Sequence, residues 1–159
     1  MAKYLLSAKI DINNQKTSLN KSILYLLLLI TSIQADWTQA NTEAPEFIAG
    51  ARTIGTETAK LLLDKEYYFI DVRGREDFNA GHIPGAFHLP VKSDFNEQNL
   101  IAIAEKAQPL VIYCNGISCL GSSAATTKAV EWGWINIFYY REGIPGWRQH
   151  GYPLHTSTP

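Results

Sequence analysis

Only two cysteines, Cys114 and Cys119, occur in 159 residues. That excludes a small domain stapled by several disulfides, and two thiols alone do not complete a four-ligand zinc site. An excess of charge of one sign is also lacking. Fourteen basic and 15 acidic side chains give a net charge of −1. With no basic excess, no nucleic-acid partner is expected. The sequence has no internal repeat and no low-complexity run. Its longest apolar stretch, residues 23–33 (ILYLLLLITSI), falls well short of the roughly 20 residues that span a bilayer. What is present is a composition of 46% hydrophobic and 18% charged residues, which suits one globular domain with a real core.

The apolar stretch follows Lys21 and ends in Ser32-Ile33-Gln34-Ala35. A basic flank, a short apolar run and a small residue at its end read as a secretory signal over residues 1–35. The expected product is exported and periplasmic. The rival reading is an uncleaved anchor facing the periplasm, the only case in which a membrane becomes a partner. The polar leader ahead of Lys21 is long for a signal, and a translation start near Leu19 would explain it. Removing residues 1–35 takes away Lys3, Lys9, Lys16 and Lys21 against Asp11, so the remainder is mildly acidic. Outside the cytosol a cysteine pair can also be oxidised.

Residues 36–50 are polar with no clear period and read as a lead-in segment. Residues 51–54 are β-prone; Thr56 then suits a helix N-cap, with an amphipathic helix over 58–64. Residues 67–72 (YYFIDV) and 110–113 (LVIY) show no alternation, as expected of strands covered on both faces of a parallel sheet. Between them lie turn chemistry at 81–86, a short strand at 87–89, and a helical period over 96–107 with Leu100, Ile103 and Ala104 on one side. A helix over 122–132 stops at Gly133, and 135–139 is β-prone. Strands alternating with helices at this spacing predict an α/β fold around a parallel sheet.

The chemistry concentrates in residues 111–125, VIYCNGISCLGSSAA. A buried strand delivers Cys114 at its C-terminal end, the side on which open α/β sheets bind ligands. The next helix begins near Ser122, and its free N–H groups favour negative charge. Such settings lower a thiol's pKa below its free value of about 8.5, and the thiolate is the nucleophile. Asn115, Gly116, Ile117, Ser118, Leu120 and Gly121 form a loop that can turn its N–H groups inward as an anion cradle. A cysteine buried at a strand end as plain packing is the alternative.

Four motifs in order resemble the rhodanese family of sulfurtransferases. They are Asp71-Val72-Arg73 with Gly81-His82-Ile83-Pro84-Gly85-Ala86, then Val111-Ile112-Tyr113-Cys114, then Glu142-Gly143-Ile144-Pro145-Gly146-Trp147, and Gly151-Tyr152-Pro153. The resemblance implies a parallel five-stranded sheet with helices on both faces, over residues 51–155. It implies that Cys114 takes a sulfane sulfur from a small donor as a persulfide and passes it to a thiol or other nucleophile, which can be a protein thiol. Asp71, Arg73, His82, Ser122 and Trp147 would support the loop and its turns. Neither a metal nor an organic cofactor is implied, and a monomer is expected.

Two departures from the family pattern stand out. The loop is two residues longer than the family's Cys-x-x-Gly-x-Arg-Ser, which places Ser122 at the family serine and Gly121 where the arginine belongs. A subgroup of exported relatives carries a similar Cys-Asn-Gly-x-x-Cys loop. Without that cation, thiosulfate should be a poor donor unless Arg73, Arg141 or Arg148 reaches in, and Gly121→Arg should improve it. Cys119 is the second departure, either a packing residue under the loop or a resolving thiol close enough for a disulfide. The alternative functions are therefore a thiol–disulfide or persulfide reductase using Cys114 and Cys119, or a non-catalytic interaction module. A phosphatase or arsenate reductase would want a phosphate-binding arginine in the loop.

Overall fold

The β-prone runs assemble into one sheet in the computed structural model, which describes residues 43–157. The strands are β1 (Ala51–Ile54), β2 (Tyr68–Asp71), β3 (Phe87–His88), β4 (Leu110–Tyr113) and β5 (Ile137–Tyr140). Their order is β1-β5-β4-β2-β3 and every pairing is parallel. The helices are α1 (Thr56–Asp64), α2 (Arg75–Ala80), α3 (Glu97–Ile103), α4 (Gly121–Glu131) and α5 (Gly143–Gln149). The expected parallel five-stranded α/β sheet is the one found.

Both faces of the sheet are covered, which is why the central strands read as continuous apolar runs. All four residues of β4 are buried. Leu110 and Ile112 pack on one side with Leu100 of α3 and Ala125 and Ala129 of α4. Val111 and Tyr113 pack on the other with Ala59 and Leu62 of α1 and Ile144 and Trp147 of α5. Alternate residues of one strand thus serve two separate cores.

Several boundaries differ from the sequence reading, each for a local reason. Thr56 is not the cap of α1. Gly55 holds that position, and Thr56 turns its N–H and hydroxyl to the Glu142 carboxylate, while its Oγ1 also bonds the Tyr140 hydroxyl. Helix α3 ends at Ile103 rather than at 107, because buried Ala104 adopts an extended conformation and residues 105–108 turn toward β4. Asn96 caps α3 by accepting from the Asn99 N–H. Helix α4 starts at Gly121, one residue before the expected position, and β5 is shifted to 137–140, leaving Ile135 exposed. Helices α2 and α5 were not anticipated. The first buries no residue, and the second contains two glycines and a proline, so neither shows an apolar period. The signal-like run and residues 36–42 of the lead-in lie outside the described residues. The described part of the lead-in is anchored, with Ala44 buried.

One close approach decides how α5 meets β4. The Ile144 N–H donates to the Cys114 carbonyl at 3.2 Å, and Gly143 has φ +55°. A Cβ at Gly143 would overlap that carbonyl oxygen and press on the Gly116 amide. Gly151 also has positive φ, but nothing lies within 4 Å of where its Cβ would be. Gly151→Ala should therefore cost about 1–2 kcal/mol of backbone strain. Gly143→Ala should cost about 3 kcal/mol or more, because the overlap adds to the strain. Urea unfolding midpoints of the two variants check this, and equal losses would contradict it.

Three buried tyrosines make a second expectation. Burial pushes Tyr113, Tyr139 and Tyr140 above the usual value, and for Tyr113 the neighbouring Asp71 carboxylate adds to the rise. A phenol whose folded pKa exceeds its unfolded value of about 10 contributes stability that is complete below that value. The contribution is lost as pH climbs from there toward the folded pKa. Denaturation midpoints should hold steady across neutral pH and fall above about pH 10, and Tyr140→Phe should lessen the fall. An unchanged alkaline slope in that variant would show that Tyr140 is not responsible.

Candidate active site

Strand β4 aims at the site. Tyr113 is paired in register with Asp71 of β2 and Tyr140 of β5, so the strand end is held from both sides. Cys114 follows immediately, 3% exposed, its carbonyl held by Ile144. The loop then doubles back through a turn in which the Cys119 N–H donates to the Gly116 carbonyl at 2.9 Å. This brings the two cysteines together as a disulfide with Cα atoms 6.4 Å apart. Cys119 is the more accessible partner, between exposed Ser118 and exposed Leu120.

The rest of the loop offers donors rather than charge. Among the described residues, the backbone N–H groups of Asn115, Gly116, Ile117, Ser118, Leu120 and Gly121 have no protein acceptor. Leu120 stands at the N-cap of α4 and contributes no side-chain cap, so the first amides of that helix are open as well. These are the donors an anion cradle needs. Gly121 lies directly against the sulfurs. A Cβ there would sit 3.0 Å from Cys114 Sγ and 3.4 Å from Cys119 Sγ. Any side chain at 121, the arginine considered from the sequence included, would press on both sulfurs in the disulfide-bonded state.

Both cysteines line a cavity of about 600 Å³ whose lining also includes Arg73, Asp77, Val91 and Lys92. Arg73 is buried and grips Asp71 through Nε and Nη2, at 3.0–3.1 Å and 2.7 Å. Nη2 also donates to the Gly81 carbonyl at 2.7 Å, and Nη1 reaches Asn115 Oδ1 at 3.4 Å. Asn115 in turn donates to Asp77 Oδ2 at 2.8 Å. A buried ion pair thus connects the end of β2, the turn at Gly81 and the first residue of the cysteine loop. Breaking one partner of such a pair typically costs about 3–5 kcal/mol, against about 0–1 for exposed pairs such as Lys60–Asp64.

Of the three arginines suggested by the sequence, Arg73 lines the cavity, while Arg141 and Arg148 do not. Arg73 is committed to Asp71. Arg141 donates to the Ala44 carbonyl and pairs with Glu43, and Arg148 lies against the Gly81 turn. The cation without an ion-pair partner among the described residues that lines the cavity is Lys92, which sequence reasoning missed. No motif marks it, since it is brought in by the turn after β3.

The remaining expected residues sit behind the loop. His82 stacks on Phe78 with ring centroids 3.8 Å apart, bonds the Phe78 carbonyl through Nδ1, and pairs its backbone with His155. Trp147 is fully buried and donates to the Pro153 carbonyl at 2.9 Å, fastening the C-terminal segment to α5. Ser122 is buried beside the Tyr139 hydroxyl, though neither oxygen makes a well-formed hydrogen bond. His82, Ser122 and Trp147 are absent from the lining of the cavity that holds the sulfurs. The lead-in also takes part, unnoticed in the sequence. Ala44 donates to the Ile117 carbonyl at 2.7 Å while Arg141 holds the Ala44 carbonyl at 2.9 Å, so this segment straps the outer edge of the cysteine loop.

Several known proteins are similar to this chain. YibN of Escherichia coli K12, named as uncharacterized, is 26% identical over 135 residues, covering 84% of this chain and 87% of that one. The thiosulfate sulfurtransferase GlpE of Pseudomonas aeruginosa LESB58 is 29% identical over 106 residues, covering 66% of this chain and 90% of its own length. Among solved structures, the BH2092 protein of Bacillus halodurans superposes with a TM-score of 0.60 at 24% identity, over 67% of this chain and 78% of that one. A thiosulfate sulfurtransferase of Pseudomonas aeruginosa gives 0.57 at 19% identity, over 68% of this chain and 21% of that one. These structural likenesses speak for the fold. Residues 55–150 match the rhodanese-like domain itself, and with the strand, loop and helix that present Cys114, the chain belongs to the rhodanese-like domain family.

Proposed function

We propose that this protein is a sulfurtransferase in which Cys114 carries a sulfane sulfur as a persulfide and delivers it to a thiol. The observation that supports this most is the position of Cys114. It follows the central strand, opens on a cavity of about 600 Å³, and lies in a loop most of whose amides lack protein acceptors among the described residues. In the reduced protein its thiolate attacks the outer sulfur of the donor. A bond forms from Cys114 Sγ to that sulfur, and the donor's thiolate leaves. The persulfide anion is held by the loop amides and the open end of α4, whose partial positive charge opposes its own. An acceptor thiolate then attacks the outer sulfur and frees Cys114. The GlpE relatives carry the name thiosulfate sulfurtransferase, which is in keeping with this chemistry.

The donor follows from the charges on the cavity wall. Thiosulfate carries two negative charges and would meet Asp77 as well as Lys92 in the cavity lining, with Arg73 already committed. A missing charge-assisted hydrogen bond is worth about 1.5–3 kcal/mol, or roughly ten- to hundredfold in rate. Persulfides and polysulfides of lower charge are the better-suited donors.

Mass spectrometry of the reduced protein after brief exposure to a sulfane donor tests the reading. A gain of about 32 Da on Cys114 is expected, absent in Cys114→Ser. With thiosulfate, loading should be at least about tenfold slower than with a low-charge persulfide, and Lys92→Gln should slow it further. A protein shown to be reduced that neither gains sulfur nor releases sulfide, or a Cys114→Ser variant that gains sulfur equally, would overturn the proposal.

A further inference from the structure

Both sulfurs of the loop belong to one cavity, and the chain between them is folded so that they bond. For a carrier that only hands sulfur to outside thiols, this placement is a handicap. The second thiol is a permanent internal competitor for the persulfide, since five residues separate it from Cys114 and the Gly116 turn directs it back. The space around the pair is also adapted to the bonded state. Position 121 has no side chain where one would press on both sulfurs, and Val91 Cγ1 closes the same spot, 3.5 Å from where a Cβ would stand.

We infer that Cys119 resolves the Cys114 persulfide, so that the protein reduces sulfane sulfur to hydrosulfide at the expense of a dithiol. This rests on Cys114 being the persulfide carrier and adds what happens next. In the resolving step the Cys119 thiolate attacks Cys114 Sγ. The Cys114–Cys119 bond forms, the bond to the outer sulfur breaks, and that sulfur leaves as HS⁻ with the electron pair. Two thiolate sulfurs are oxidised to the disulfide and one sulfane sulfur is reduced to sulfide. Charge balances, one negative charge on each side.

The oxidised pair is the end of that sequence, and a dithiol reductant must restore it. Of the two cysteines, Cys119 is the less buried, in a loop where Ile117 and Leu120 are 44% and 55% exposed. Attack there places the mixed disulfide on Cys119 and releases Cys114 as the leaving thiolate, beside the open amides of the loop and α4. The second thiol of the reductant then frees Cys119. Over a full turn, one persulfide and one dithiol become one thiol, one sulfide and one cyclic disulfide.

A single-turnover experiment separates this inference from the reading beneath it. Fully reduced protein is loaded with glutathione persulfide, desalted, and held without any external thiol while sulfide and intact mass are followed. Wild type is expected to release about one sulfide per chain and finish about 2 Da below the reduced mass. Cys119→Ser is expected to retain about 32 Da on Cys114 and release sulfide at least tenfold more slowly. Wild type that keeps the added sulfur as long as Cys119→Ser does would overturn the resolving role and leave the carrier intact. Wild type that neither gains sulfur nor releases sulfide would overturn both.

Discussion

The contact on which the site depends is the approach of the Gly143–Ile144 backbone to the Cys114 carbonyl. Strand β4 would otherwise end in an unpaired carbonyl at the point where the chain must leave the sheet and begin a loop of small residues. The Ile144 N–H takes that carbonyl at 3.2 Å, and the absence of a side chain at Gly143 makes the approach sterically possible. The same junction fixes α5. Glu142 is bonded by Thr56 at the start of α1, and Trp147 is buried among Phe69, Tyr140 and Tyr152. A cysteine that must face one direction is thereby tied to the large aromatic core on the far face of the sheet.

Three further restraints act on the loop itself, and they differ in strength. The Arg73 fork joins Asn115 to a buried ion pair, the Ala44 amide holds Ile117, and the disulfide closes the loop on itself. The ion pair behind the first is firmly held, because its charges lie where water cannot replace a lost partner, while its reach to Asn115 is long at 3.4 Å. The Ala44 strap is a single backbone hydrogen bond, worth about 0.5–1.5 kcal/mol net, so it adjusts the loop's outer edge without defining it. Among the described residues, this division leaves the amides near Cys114 free of protein acceptors while their positions are set by groups behind them. Preorganised donors of that kind are what a transient sulfur anion requires.

Much of this was legible in the sequence, and each part that was not has an identifiable physical cause. The uniform burial of β4 read directly from LVIY, and the strand–cysteine–helix order pointed to the candidate site. The Asp71–Arg73 pair and Trp147 were recognisable as supports because their motifs carry them. Lys92 and Ala44 were not, because each reaches the site through a turn whose direction no periodicity encodes. Helix α5 was hidden for another reason. Its glycines and proline argue against a helix locally, and tertiary packing of Ile144 and Trp147 overrides that preference. The extra length of the loop was visible as a count. That Cys119 folds back to Cys114, and that this leaves no ordinary room at position 121, required the geometry.

The most direct test of the central claim is a crystal structure of persulfidated Cys119→Ser protein, in which the resolving thiol cannot discharge the carrier. The expected result is an ordered outer sulfur on Cys114, within hydrogen-bond reach of several amides from residues 115–121 and facing the cavity shared with Arg73 and Lys92. An outer sulfur turned away from those amides, or sulfur bound at another residue, would contradict the cradle and the role given to Cys114.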